Sequence, residues 1–149
     1  MGITPFIGWK NTWPAWAINF RMSTPAFEPE TDIERQILNV QAGKYPADAL
    51  MRDMADSDLY IPSKGEVRED GRGFIPVLLE RGDMAFVAVF TALSRQPRGM
   101  AKYLLKATGR AFFLRLPPGY GVIFNPGCDA EMLLPPDGVA TLKQDLRKA

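Results

Sequence analysis

The spacing of the apolar residues changes between Asp56 and Leu59, and this change constrains the fold more than any other feature. Before the change, Ile33, Ile37 and Val40 recur at the spacing of one helical face. After it, apolar residues come in short runs bounded by glycine, proline and charged turns, which is typical of strands. A chain that changes from helical to strand spacing is expected to fold as α+β, with helices packed on a sheet.

We expect a single sheet of about five mostly antiparallel strands, with two N-terminal helices and one C-terminal helix packed on it. The helices are predicted over residues 32–41, where Thr31 and Glu34 form a capping box, from 46 to 56, and from Asp137 onward. The strands are predicted over 59–62, 74–79, 84–90, 121–124 and 131–134. Between them we expect a helix near 97–104, a strand into Ala107 and a short helix over 110–116. Regular strand–helix–strand alternation is absent, which argues against a Rossmann-type domain.

The amino-acid composition excludes the common catalytic arrangements that need a histidine or a second cysteine. The 149 residues include no histidine and a single cysteine, Cys128. A Ser-His-Asp triad, a Cys-His pair and a histidine-based zinc site are therefore impossible within this chain. No Walker loop is present, and the acidic run around Asp56 lacks the ligand spacing of an EF-hand. The chain is predicted not to be an enzyme, and no cofactor or metal is expected.

The same composition bears on the compartment. One cysteine cannot form a disulfide within the chain, which suits a reducing compartment. No run reaches the 18 or so apolar residues of a membrane span, and no secretory signal is recognisable. We therefore predict a cytoplasmic protein. Cys128 precedes an acid, which favours a small structural thiol over a reactive one.

The first 21 residues differ from the rest, because they contain all three tryptophans, Trp9, Trp13 and Trp16. With Phe6 and Phe20 these form a stripe at helical spacing, and a helix could start near Thr12. Three interpretations stay open: the aromatics pack on the protein's own core, they contact a partner or a second copy of the chain, or the segment comes from upstream translation or cloning. The third rests on the run that Met22 opens, which is typical of a protein start. We expect residues 1–30 to be an extension and residues 31–149 to be one domain.

The net charge of +1 hides a strong asymmetry. Residues 22–83 hold 13 acids and seven bases, whereas residues 84–128 hold six bases and no acid. Four of these bases are spaced by 3, 4 and 4 residues, so on a helix they would form one basic stripe. Such a stripe attracts an acidic protein surface or a nucleic acid, or it neutralises the chain's own acidic half. Nucleic acid is the weaker alternative, because the whole chain is near neutral.

Five short motifs follow one another in the C-terminal two thirds of the chain. They are Asp-Gly-Arg at 70–72 before a Phe-x-Pro-Val strand, Val-Ala-Val-Phe-Thr at 87–91, Leu-Pro-Pro-Gly-Tyr-Gly at 116–121, Asn-Pro-Gly at 125–127 and Leu-Pro-Pro-Asp-Gly-Val at 134–139. In order and spacing they resemble the N-terminal domain of the SseB family of bacteria, over residues 44–146. That family is named for enhanced serine sensitivity, and its label has been tied to type III secretion. Many members carry a second domain, and the resemblance brings no active-site residues with it.

Two of these motifs are also candidate contact loops. Leu-Pro-Pro-Gly ends an element and turns the chain, and Asn-Pro-Gly is predicted to form a type II turn. Backbone N–H groups near Asn125 and Gly127 could bind a small anion or a peptide, or the motif could serve turn geometry alone.

The predicted function is a non-catalytic protein-interaction domain, of a secretion-accessory or immunity type. One alternative is a small-molecule binder or enzyme linked to amino-acid (serine) metabolism, and another is nucleic-acid binding through residues 95–115. The residues predicted to contact a partner are Arg95, Arg98, Lys102, Lys106, Arg110, Arg115, Pro117, Pro118, Gly119, Asn125, Pro126 and Gly127.

Overall fold

The computed structural model describes residues 19–20 and 27–148, and it confirms the α+β class. In chain order the elements are β1 (Asn19–Phe20), α1 (Asp32–Gln41), α2 (Ala47–Asp56), β2 (Asp58–Ser63), β3 (Leu78–Arg81), β4 (Met84–Val89), β5 (Tyr103–Thr108), α3 (Gly109–Arg115), β6 (Gly121–Phe124), β7 (Met132–Leu134) and α4 (Pro136–Lys148). A short 3-10 helix covers Leu93–Arg95. No helix within the described ranges has the length and apolar character needed to cross a bilayer.

The strands form two sheets where we expected one. The larger sheet has the order β1-β7-β6-β4-β3, in which β4 and β6 are parallel and the other neighbours are antiparallel. β2 and β5 form a separate antiparallel pair, joined to the larger sheet by isolated bridges at Tyr60–Phe90 and Ser63–Pro76. Proline has no backbone N–H to donate, so Pro62 and Pro76 limit this junction to single bridges.

The side chains of the larger sheet alternate between two apolar faces. Val87 and Val89 of β4 and Phe124 of β6 point to the face on which all four helices pack. Phe86 and Ala88 point to the opposite face, as expected for successive residues of a strand. The helical face holds the main core, and it is the face on which α3 and the β5 strand meet the sheet.

The capping residues explain where the first helix, α1, begins. The Thr31 hydroxyl accepts a hydrogen bond from the Glu34 N–H at 3.2 Å, as the capping box predicts. Ile33, Ile37 and Val40 are buried on the core side. The predicted bounds of this helix are therefore confirmed.

The helix predicted near residues 97–104 is wrong. Residues 96–102 contain no helix, and Tyr103–Thr108 form β5, whose six residues all pair with β2. Pro97 and Gly99 interrupt the segment, and Gly99 has a φ of 79°, which a right-handed helix does not accept. The strand pairing with β2 then prevails over the helical spacing of the cations.

At the N-terminus the structure describes only two residues of the aromatic segment. Asn19 and Phe20 are extended and pair with Leu133 and Met132 of β7, so Phe20 does not continue a helix. The three tryptophans, together with the predicted helix start at Thr12, lie outside the described residues.

Candidate functional site

The six cations of residues 84–128 do not form a helical stripe. Arg95 ends the 3-10 helix, Arg98 and Lys102 lie in the loop before β5, Lys106 lies in β5, and Arg110 and Arg115 lie in α3. Because they lie in four kinds of segment, a 3-10 helix, a loop, a strand and an α-helix, the cations do not share one surface.

Arg95 is used inside the molecule. Its side chain is only 16% exposed, and its guanidinium meets the fully buried carboxylate of Glu34, with Nη2 2.8 Å from Oε1 and Nε 3.2 Å from Oε2. Nη2 also donates to the carbonyl of Glu28 at 2.7 Å, and the guanidinium lies 4.5 Å from the centre of the Phe27 ring. Glu30 adds a second carboxylate at 3.3 Å. Arg95 therefore neutralises two carboxylates of the chain's own acidic half, Glu30 and Glu34, instead of attracting an acidic partner or a nucleic acid.

The same carboxylate connects Arg95 to the ends of the parallel strands. The Thr91 hydroxyl, just beyond β4, donates to Glu34 Oε2 at 2.7 Å. The amide of Asn125, just beyond β6, accepts from the Thr91 N–H at 3.0 Å and donates to the Ala130 carbonyl at 3.2 Å. We call Glu34, Thr91, Arg95 and Asn125 the buried polar cluster. All four have partners within it, so it leaves nothing free to bind a ligand.

The backbone at Asn125 explains the choice of residue. Its φ is 51°, and among the described residues no other non-glycine has a positive φ. Asparagine tolerates this left-handed conformation better than most residues, and its short amide can bond to nearby backbone groups. The position therefore needs both a tolerant backbone and an amide side chain.

Hydrogen bonding decides the charge state of Glu34. Burial by itself would raise the pKa of this carboxyl, but hydrogen bonds from Arg95, from the Glu30 N–H and from Thr91 outweigh burial and lower the pKa below its ordinary value. The hydrogen bond to Glu34 likewise raises the pKa of Arg95. The pair is thus held ionised inside the fold.

The Asn-Pro-Gly motif forms the predicted turn. The Cys128 N–H donates to the Asn125 carbonyl at 3.0 Å, and Gly127 has a φ of 84°, as position i+2 of a type II turn requires. The N–H groups suggested for an anion are already bonded, since Asn125 donates to Val89 and Gly127 donates to the Glu131 carboxylate at 2.9 Å. Turn geometry is therefore the function that the contacts support. The thiol of Cys128 is half-buried.

Two further cations have partners within the chain. Lys106 Nζ lies 3.8 Å from a carboxylate oxygen of Asp58 on the neighbouring strand, and Arg110 donates to the Leu146 carbonyl at 3.4 Å. Arg98 and Lys102 are exposed and border a shallow depression of about 290 Å³. Lys102 lies 5.6 Å from the Tyr103 ring, and neither cation has an ion pair among the described residues.

An apolar cavity of about 440 Å³ lies where β4, β5, α3 and the loop after it meet. Its apolar wall includes Phe74, Val87, Leu105, Ala107, Phe112 and Tyr120. Pro117 of the Leu-Pro-Pro-Gly motif also lines it, while Pro118 and Gly119 are exposed beyond it. This volume falls within the range of small-ligand and side-chain pockets.

Among the described residues, Arg115 is the one charged residue that lines this cavity. It is exposed at the end of α3, and its Nη1 lies 3.7 Å from where a side chain on Gly71 would begin. Asp70, the acid next to Gly71 in that loop, forms an ion pair with Arg72, whose Nε lies 3.3 Å from its Oδ2. No carboxylate among the described residues comes within ion-pair distance of Arg115. A cation without a counterion therefore stands beside an apolar cavity.

The cavity can bind but offers no pair of groups for acid–base chemistry. Within the part of the chain that the structure describes, its lining contains no carboxylate and no thiol, and its hydroxyl comes from Tyr120. Over the described residues no group of three or more acids and cysteines is placed to hold a metal ion. The arrangement suits an apolar group that carries a negative charge next to it.

Two of the residues predicted to contact a partner line this cavity, but most of its apolar lining was not predicted. Arg115 and Pro117 were among the predicted contact residues, whereas Phe74, Leu105 and Tyr120 were not. The alternation of Leu105 and Ala107 about Lys106 agrees with the strand predicted into Ala107, but that prediction did not say which side of the strand faces the core.

Comparison with known proteins gives one finding on the family. The family model described as the SseB protein N-terminal domain matches residues 33–141, a range that includes the cavity, the buried polar cluster and both candidate loops. No curated protein and no solved structure matches the chain.

Proposed function

The chain belongs to the SseB family, and from that premise we propose that it is a non-catalytic domain that binds another protein. The observation that carries the proposal is Arg115, an exposed cation without a counterion at the mouth of an apolar cavity. Arginine beside apolar surface is a common composition at the centre of protein interfaces. The proposed contact surface is the mouth of the cavity, formed by α3, Pro117 and the loop around Gly71.

We further propose that the chain acts in the cytoplasm as a secretion-accessory or immunity-type protein. Such a protein acts by holding a partner, and it needs no reacting groups of its own. The absence of histidine from the sequence agrees with that role. The basic loop at Arg98 and Lys102 is a second exposed cationic surface, so the experiment has to separate the two.

Small-molecule binding is the second candidate, because a cavity of about 440 Å³ is large enough for a metabolite. Nucleic-acid binding has less support, because the basic helical face that suggested it is absent from the described residues.

Affinity capture with charge-reversal variants tests the proposal. The baits are the wild-type chain, Arg115→Glu, the double variant Arg98→Glu/Lys102→Glu, and Arg147→Glu as the control. Arg147 is matched to Arg115, because both are exposed arginines in the last turn of a helix. We expect one protein that the wild type and Arg147→Glu retain from a lysate of the organism that encodes the chain, and that Arg115→Glu loses. Equal retention by Arg115→Glu would contradict the proposed surface, and capture of a metabolite without protein would favour the second candidate.

A further inference from the structure

The apolar surface at the cavity continues beyond its walls. Leu78 of β3 stands opposite Val87, a lining residue, so both point to the same side of the sheet. Leu78 is 40% exposed. Phe74 and Pro76 line the cavity on the approach to the same strand. A row of apolar side chains therefore leads from the cavity toward the edge strand β3.

Helix α3 forms the other side of this surface. Ala111 is exposed and lines the cavity, and Arg115, which also lines it, follows by one turn. The cavity therefore lies between Phe74 and Pro76 on one side and this face of α3 on the other, with the exposed Leu78 beyond it. We call this surface the β3–α3 groove.

We infer that the β3–α3 groove takes an acidic chain segment of a partner protein, with one apolar side chain in the cavity and a neighbouring carboxylate on Arg115. This inference rests on the proposed function and adds the chemistry of the bound segment. Charge complementarity carries it, because Arg115 is the charged lining residue and has no acid among the described residues to neutralise it. The exposed Leu78 supports a longer occupant, because it extends the apolar surface beyond the cavity itself.

The occupant has to supply both features together. An apolar side chain alone would leave the guanidinium without a counterion, and a bare anion would leave the cavity wall exposed. A carboxylate that is hydrogen-bonded to an arginine contributes about 1.5–3 kcal/mol, which corresponds to roughly 10- to 150-fold in affinity. Reversing the charge of Arg115 should therefore weaken binding at least about tenfold.

Three synthetic peptides test the chemistry. The probe is acetyl-SGFDDGS-amide, and its controls are acetyl-SGFKKGS-amide, which lacks the acids, and acetyl-SGSDDGS-amide, which lacks the apolar side chain. Binding to the full-length chain is followed by methyl NMR at Ala107 and Ala111, two cavity residues. We expect the probe to shift both methyl groups and to bind at least about tenfold more tightly than either control. Equal binding of the lysine peptide would overturn the role of the carboxylate.

Two matched variants locate the binding. Ala111→Phe fills the cavity from an exposed helix position, and Ala140→Phe makes the same change at an exposed position of α4 away from it. We expect the probe to lose binding to Ala111→Phe and Arg115→Glu but to keep its affinity for Ala140→Phe and Arg147→Glu. If Ala111→Phe proves unfolded by its amide spectrum, Arg115→Glu decides by itself. Unchanged binding to Arg115→Glu would overturn the inference.

A small acid separates a chain segment from a free ligand. 3-Phenylpropionate carries the same apolar ring and carboxylate without flanking chain. We expect the peptide to bind more tightly than this acid, because its flanking residues contact the groove. Tighter binding of the acid would overturn the segment and support a small-molecule site. If Arg115→Glu loses a protein partner in the capture experiment while the peptide does not bind, the proposed function stands and the inferred segment chemistry fails.

Discussion

Arg95 and Arg115 come from the same stretch without acids, yet the fold uses them in opposite ways. Arg95 lies across Glu34 and Glu30, and its side chain is nearly covered. Arg115 lies at the mouth of an apolar cavity and has no carboxylate partner among the described residues. The two arginines show that a run of cations does not by itself mark a binding surface. What separates them is whether the fold supplies the counterion.

The difference follows from what each arginine would lose. A buried carboxylate without a cation is costly, so Arg95 stabilises the fold by neutralising Glu34. Arg115 keeps contact with water, and its charge costs the free chain little. The buried polar cluster therefore contributes to stability, and the β3–α3 groove leaves a charge available to a partner.

The largest expected effect is on stability. Arg95→Leu should lower the free energy of unfolding by about 3 kcal/mol, because it leaves the Glu34 carboxylate buried and unpaired. Arg115→Leu removes the same type of side chain from an exposed position and should change it by less than about 0.5 kcal/mol. Urea unfolding of the two variants measures both values. Equal losses would show that the two arginines do not differ as described.

Asn125 should give the next largest effect. Asn125→Ala should lower the free energy of unfolding by about 2–3 kcal/mol, because the Thr91 N–H loses its acceptor and the left-handed backbone at a φ of 51° is strained for alanine. Asn125→Gly loses the same hydrogen bonds but accepts the backbone, so it should be about 1 kcal/mol more stable than the alanine variant. Unfolding curves of the pair measure this difference. An alanine variant as stable as the glycine variant would exclude backbone strain.

The smallest expected effect is on the pH dependence of stability. The pKa of Glu34 is lower in the folded chain than its ordinary value of 4.5, so this group stabilises the fold above that pH and loses its contribution as the pH falls through the folded pKa. Glu34→Gln removes the titration, although Glu30 and Arg95 remain beside it. We expect the wild type to lose more stability than Glu34→Gln between pH 6 and pH 3, as measured by urea unfolding at each pH. Parallel pH profiles would contradict the assignment.

The sequence predicts well those elements whose bounds are determined by neighbouring residues alone. Thr31 and Glu34 cap α1, and its apolar period defines its length, so α1 was predictable to the residue. For β5 the sequence predicted a strand into Ala107 but neither its start at Tyr103 nor its partner, because Leu105 and Ala107 gain their role from pairing with β2, which lies some 45 residues earlier. The wall of the cavity was hidden for the same reason, since Phe74, Leu105 and Tyr120 become neighbours only in the fold.

The buried polar cluster shows a further limit of local patterns. The sequence predicts Glu34 as one half of a capping box. Its carboxylate accepts a hydrogen bond at 2.9 Å from the N–H of Glu30, the residue before the N-cap. Its second use, holding Thr91 and Arg95, joins residues that are about 60 positions apart. Nothing near Arg95 in the sequence distinguishes it from Arg98, because the partner that distinguishes it, Glu34, lies 61 positions away along the chain.

The central claim is that Arg115, and not Arg95, is the arginine available to a partner. NMR of the arginine side-chain Nε–H groups during titration with acetyl-SGFDDGS-amide tests it most directly. The account predicts that the Arg115 signal shifts together with the Ala107 and Ala111 methyl groups, while the Arg95 signal stays in place because Glu34 already holds it. A shift at Arg95, or no shift at Arg115, would contradict the account.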